Sequence, residues 1–163
     1  MLVALLSDIH DHTTHLLLAV HAAKEAGCTH MLFMGDMTSI SSFRTLREEW
    51  EYPVDLVFGN NEYQLEAFYQ TARQWKNTTW HGFIANVKLD GRNILFCHFP
   101  WEAAKALQQG CYDAVFYGHT HKAEVQTIQN TLLANPGDVY GRTGTPSFGI
   151  YDTRTNSVRI VPL

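Results

Sequence analysis

Five apolar runs, Leu2–Leu6, Met31–Met34, Val54–Phe58, Ile94–Cys97 and Ala114–Tyr117, are almost without polar residues. Such runs read as strands buried on both faces. The residues at the carboxyl end of each run constrain the fold further. The chain continues into Ser7-Asp8-Ile9-His10, Gly35-Asp36, Gly59-Asn60, His98 and Gly118-His119-Thr120-His121 respectively. A buried strand has no packing use for His119 and His121, which period-2 alternation puts on one side of the chain. Five strand ends carrying imidazole, carboxylate or amide groups are where an open α/β sheet binds its ligand.

Helical patterns separate several of the runs. Thr13–Ala26 places Leu16, Ala19, Val20 and Ala23 on one face and Gly27 beyond its end, as a carboxyl-terminal cap requires. Glu62–Trp75 and Pro100–Gln109 read as helices, and Met37–Pro53 holds a short one between two motifs. Strand and helix in alternation predict an α/β fold. The last third differs: Glu124–Gln129, Thr131–Asn135, Ser147–Tyr151 and Val158–Val161 are strand-like pieces joined by tight turns, expected to form antiparallel hairpins in a second sheet. With 163 residues and no linker, the expectation is one domain over 1–163.

Composition narrows the partners. A formal net charge of −4 with scattered lysines and arginines argues against a nucleic-acid partner. No run approaches the roughly 18 apolar residues of a membrane span, and "MLVALL" lacks the basic start of a signal peptide. Cys28, Cys97 and Cys111 are odd in number and widely spaced, which suits reduced thiols and a cytoplasmic location.

Taken singly, each polar strand end has a bland alternative: Asp36 a turn, His98 a core histidine, Asn60-Asn61 a loop. All five in one chain favour a metal site. Mixed nitrogen and oxygen donors without thiolate suit Mn²⁺, Fe, Ni²⁺ or Zn²⁺. Seven candidate ligands, Asp8, His10, Asp36, Asn60, His98, His119 and His121, exceed what one tetrahedral ion needs. They suffice for two ions sharing a carboxylate, an arrangement that clamps a phosphoryl group and generates a bridging hydroxide. The other five histidines, His12, His15, His21, His30 and His81, read as solvated residues of helices and loops.

The ordered set Asp8-Ile9-His10, Gly35-Asp36, Gly59-Asn60-Asn61-Glu62, His98 and Gly118-His119-Thr120-His121 resembles the calcineurin-like metallophosphoesterase superfamily, in particular its small bacterial and archaeal phosphodiesterases. "NPGD" at 135–138, Arg142 and "TPSFGIYDT" extend the resemblance over nearly the whole chain. It implies a four-layer α-β-β-α sandwich of two mixed sheets with flanking helices and a metal site at the strand ends. It also implies that Asp8, His10, Asp36 and His121 hold one ion, that Asp36, Asn60, His98 and His119 hold the other, and that Asp36 bridges. Asp36, Asn60 and His98 are then the catalytic set, with Asn61 and Arg142 on the substrate. The implied cofactors are two divalent ions, Mn²⁺ foremost, with Fe, Ni²⁺, Zn²⁺ and Mg²⁺ as alternatives. Self-association is a further implication.

Three positions depart from the family pattern. Asn61 stands where many members carry a histidine that protonates the leaving group, "CHFPWE" puts Pro100 in place of a second histidine, and Asp138 replaces a serine. Phe43, Trp50 and Trp101 are candidates to line the pocket, against a packing role for each. The expected function is a dinuclear metal-dependent phosphoesterase, a phosphodiesterase acting on a small-molecule diester through a metal-bridging hydroxide. The alternatives are a phosphomonoesterase, a dinucleoside polyphosphate hydrolase, or a non-catalytic binding scaffold on the same fold.

Overall fold

A computed structural model describes residues 1–142 and 144–163 of the chain. In chain order the elements are β1 (Leu2–Leu6), α1 (Thr13–Glu25), β2 (His30–Phe33), α2 (Ile40–Glu49), β3 (Val54–Leu56), α3 (Leu65–Ala72), β4 (Thr78–Trp80) and β5 (Ile84–Leu89). They continue with β6 (Arg92–Cys97), α4 (Pro100–Gln109), β7 (Ala114–Phe116), β8 (Ala123–Ile128), β9 (Thr131–Pro136), β10 (Ser147–Asp152) and β11 (Ser157–Pro162).

The strands form two mixed sheets, ordered β11-β10-β1-β2-β3-β4 and β5-β6-β7-β9-β8. In the first, β1 to β4 run parallel and the β10–β11 hairpin joins β1 antiparallel. In the second, β6, β7 and β9 are parallel, with β5 and β8 antiparallel at its edges. Side-chain alternation sorts the apolar residues into three layers. Val3, Leu5, Leu32, Met34 and Val57 meet Ile94, Phe96, Phe116 and Ala134 between the sheets. Ala4, Leu6, Met31 and Phe33 face the opposite way, against Leu16 and Val20 of α1, Phe43 and Leu46 of α2, and Phe68 of α3. Leu95, Val115 and Leu133 pack on Ala103 and Ala106 of α4. The result is the four-layer sandwich, helices outside two sheets.

Local chemistry sets the helix limits. Gly27, at φ +82, follows the Ala26 cap of α1 as a left-handed stop. Ser39 caps α2 by accepting from the Ser42 N–H at 3.2 Å, and Pro100 opens α4. The third helix begins at Leu65 and not at Glu62, because the Glu62 carboxylate is buried and accepts backbone N–H groups of two loops.

Several expectations are corrected. Phe43 and Trp50 are fully buried core residues, whereas Trp101 is 51% exposed. β4 and β5 have no counterpart among the sequence-predicted strands: β4 is three residues long, and β5 alternates buried Ala85 with exposed Asn86 at a sheet edge, so neither forms a continuous apolar run. The two carboxyl-terminal hairpins do form. They do not build a sheet of their own, but divide between the two sheets through β7–β9 and β1–β10 pairing.

His30 and His81 are not solvated. His30 opens β2, and its Nε2 lies 2.7 Å from Asp55 Oδ2, while His81 Nε2 lies 2.6 Å from Asp55 Oδ1. Burial would raise the Asp55 carboxyl, but the two imidazole contacts outweigh it and pull it down to about 2. A carboxyl depressed in the fold contributes stability above its unfolded value, near 3.9, and loses it as pH falls towards the folded one. Replacing Asp55 by Ala is expected to cost about 1–3 kcal/mol of stability at neutral pH. It should also flatten the decline in stability between about pH 4 and pH 2; urea melts of both proteins across that range check both effects.

Candidate metal centre

The carboxyl ends of β1, β2, β3, β6 and β7 converge at one edge of the sandwich, and each delivers its polar residue there. His10, Asp36, Asn60, Asn61, His119, His121 and Arg142 line one open cavity. Asp8 and His98 lie beneath it, both fully buried. The seven candidate ligands and the two candidate phosphate contacts, Asn61 and Arg142, are thus brought to a single place.

The backbone turns sharply to do this. Asp8, His10, Asp36, His119 and His121 all sit at positive φ, between +46 and +68. Left-handed backbone costs a non-glycine residue roughly 1–2 kcal/mol, and Asp and His tolerate it better than most. Two glycines make the close approaches. A methyl group at Gly59 would overlap Asp36 Oδ1, and one at Gly118 would overlap the Ser7 hydroxyl. Backbone hydrogen bonds then lace the loops together: Asp8 N to Gly35 O at 3.0 Å, His10 N to Asp36 O at 3.1 Å, and Gly118 N to His98 O at 3.0 Å.

Two donor groups face each other across the carboxylates. In the first, Asp8 Oδ1 is 3.4 Å from His121 Nε2 and 3.8 Å from His10 Nε2. Asp8 Oδ1 and His10 Nε2 are both buried and make no hydrogen bond, a costly state for a carboxylate unless a cation completes it. Donors bound about 2.0–2.2 Å from one ion are about 3.0–3.5 Å apart, close to these spacings. In the second group, His98 Nε2, His119 Nδ1 and Asn60 Oδ1 lie 3.0–3.2 Å from one another. His98 Nδ1 faces the Met34 carbonyl at 2.7 Å and must donate to it, so in the neutral ring Nε2 presents a lone pair. A lone pair directed at an amide oxygen repels it unless a positive ion lies between them. Asp36 Oδ2 is 3.6 Å from His10 Nε2 and 3.5 Å from His98 Nε2, between the two groups, and Asp8 likewise lies within reach of both. These donors fit two metal ions.

Charges follow from the packing. Burial would raise the Asp8 carboxyl, but His10, His98, Ser7 and His121 together hold it below its ordinary value. The Asp8 contact raises His10 against the effect of burial. Burial, with His98 beside it, lowers His119, which favours the neutral ring that a metal requires.

The structure assigns work to residues whose roles the sequence leaves open. Asn61 donates from its backbone N to Asp36 Oδ1 at 3.0 Å and from its amide to Asp36 Oδ2 at 2.6 Å, so it fixes that carboxylate. Glu62 accepts from Gly59 N at 2.7 Å and from Met37 N and Thr38 N, tying the loop after Asp36 to the loop before Asn60. Asp138, at the end of β9, accepts from Arg142 N at 2.8 Å and lies 2.7 Å from His121 Nδ1. It is a sixth strand end, and its signal was present: Gly137-Asp138 after the Thr131–Pro136 strand repeats the pattern of Gly35-Asp36. A carboxylate on one ring nitrogen orients the other towards a metal.

A family model described as the calcineurin-like phosphoesterase superfamily domain matches residues 1–156. Phosphodiesterase MJ0936 of Methanocaldococcus jannaschii is 25% identical over 166 residues, covering 100% of this chain and 99% of its own. Among solved structures, an archaeal phosphodiesterase superposes with a TM-score of 0.92 at 24% identity, covering all of both chains. Vps29 from Chaetomium thermophilum superposes at 0.69 with 15% identity, covering 100% of this chain and 97% of its own; at these identities the two likenesses speak to the fold.

Truncating Asp138 to Ala is expected to weaken the ion next to His121 about 10–100-fold and leave the other ion's affinity near normal. Calorimetric titration of chelator-stripped protein with Mn²⁺ checks this, and two unchanged affinities would remove Asp138 from the site.

Proposed function

The chain belongs to the calcineurin-like phosphoesterase superfamily, and from that premise we propose that residues 1–163 form one domain acting as a dinuclear metal-dependent phosphodiesterase on a small-molecule diester. The observation that carries the reading is the pair of donor groups sharing Asp36 and Asp8 at the strand ends. Asp8, His10, Asp36 and His121 would hold one ion, and Asp36, Asn60, His98 and His119 the other. Bound there, two divalent ions, Mn²⁺ foremost, supply an acidified water and neutralise charge on the phosphoryl oxygens.

The remaining work belongs to the chain. Asn61 keeps the Asp36 carboxylate fixed between the two donor groups. Arg142, exposed on the cavity wall, offers a planar fork to a phosphate oxygen. One guanidinium suits the single charge of a diester, and the open cavity leaves room for a second ester arm. Because Asn61 is engaged with Asp36 and cannot supply a proton as a histidine would, esters with good leaving groups are favoured. The relative named a phosphodiesterase, matched over 99% of its length, supports the same choice.

Among the described residues no helix is long and apolar enough to cross a membrane. The three cysteines are free, and burial pushes the Cys28 and Cys97 thiols up to about 11 and about 12. Inert thiols of this kind suit the proposed cytoplasmic location.

Chelator-stripped protein is expected to hydrolyse bis(p-nitrophenyl) phosphate in preference to p-nitrophenyl phosphate only when Mn²⁺ is returned. A preference for the monoester would move the activity to phosphomonoesters, and no turnover of either with two ions bound would overturn the catalytic reading. Asp36→Ala should abolish turnover and release both ions, since one carboxylate serves two.

A further inference from the structure

Beyond His98 the chain enters Phe99-Pro100-Trp101, a stretch that the ligand set leaves without a role. Pro100 begins α4 and Phe99 caps it in extended backbone, so the backbone path of this stretch is set by the helix start. The Trp101 ring lies flat on Phe99, with centroids 4.3 Å apart and planes 15° apart. Phe99 in turn meets His98 and His119 at 4.9 and 5.1 Å, and Trp101 meets His119 edge-on at 5.8 Å. An unbroken series of rings therefore leads from buried His98 to half-exposed Trp101.

Other large aromatic residues near these loops, Phe43, Phe58, Phe68 and Trp80, are buried against one another. Trp101 is not: among the described residues its ring contacts are Phe99 on one face and His119 at an edge. Its contact with His119 sets the half-exposed indole next to the cavity that His119 and Arg142 line. An exposed indole plane beside a cavity that takes a phosphate would suit a flat group carried on the same molecule.

We infer that Trp101 is a specificity-determining residue, whose outer face stacks on a planar aromatic group, a nucleobase or an aryl ring, borne by the phosphoester. The inference rests on the phosphoesterase reading for the position of the phosphate near His119 and Arg142. Arg142, with the ions that the metal ligands would hold, then binds the phosphate, and Trp101 selects the arm. Because stacking uses the π-face alone, this arm is recognised by its flatness and not by a hydrogen-bond code.

The test is calorimetric binding of adenosine 5′-monophosphate, phenyl phosphate and ribose 5-phosphate to the full chain loaded with Mn²⁺. The wild type should bind adenosine 5′-monophosphate about tenfold tighter than ribose 5-phosphate. Trp101→Ala should erase that preference while leaving ribose 5-phosphate unchanged, and Trp101→Phe should restore part of it. Phenyl phosphate binding as tightly as the nucleotide assigns the plane to any aryl group, whereas weak phenyl phosphate binding assigns it to a nucleobase. Equal affinities in the wild type, no binding, or a preference that survives Trp101→Ala overturns the inference. Turnover of bis(p-nitrophenyl) phosphate by the same preparations separates the two claims. A protein that prefers the nucleotide through Trp101 but hydrolyses nothing loses the enzyme reading and keeps this one.

Discussion

Two carboxylates, Asp8 and Asp36, are buried together where the strand ends of the two sheets meet. Like charges withdrawn from water are among the most unfavourable arrangements a fold can contain. The surroundings answer that charge in layers. Ser7, Asn61 and the His119 backbone N–H donate to the carboxylate oxygens, the imidazoles of His10, His98 and His121 face them, and Asp8 Oδ1 is left for a cation. Much else in the molecule serves this arrangement: the parallel strands that end together, the glycines that admit close backbone contact, and the left-handed residues that turn chemistry inward.

Two more acidic groups keep the arrangement rigid. Glu62 joins two loops of the first sheet, and Asp138 joins His121 of the second sheet to the Arg142 segment. Neither lines the cavity. Both are buried for position, and burial raises Glu62 above its ordinary value while three backbone N–H groups oppose that rise. Of the residues that line the cavity, Asn60 and Arg142 are the exposed ones.

Legibility in the sequence followed physical contrast. β1 and α4 could be bounded to the residue, because a continuous apolar run and a proline start each break sharply from their flanks. The seven ligand candidates were visible for the same reason, as polar residues where the apolar pattern stops. β4 and β5 were hidden because a three-residue strand and a half-exposed edge strand carry no comparable contrast. His30, His81 and Asp55 were hidden because their meaning depends on strand pairing: β2–β3 register sets Leu32 beside Asp55, and nothing in the linear order brings His81 to the same carboxylate. Phe43 and Trp50 were ambiguous between pocket and core, and α2 packing placed them in the core.

The first sheet supplies Asp8, His10, Asp36 and Asn60, and the second supplies His98, His119 and His121. The site is therefore a seam, and its internal spacings measure how one layer lies over the other. Between β9 and β10 the chain crosses from layer to layer, and Val139 N and Tyr140 N bond to Ser7 O and Asp8 O at 3.1 Å on the way. These bonds act as rivets against shear. Ring packing such as Phe116 on Tyr151, centroids 5.1 Å apart, sets the thickness of the gap as a shim would. Side chains far from any ligand, chosen only to fill the space between two sheets, thereby calibrate the separation of the groups that meet at their edge.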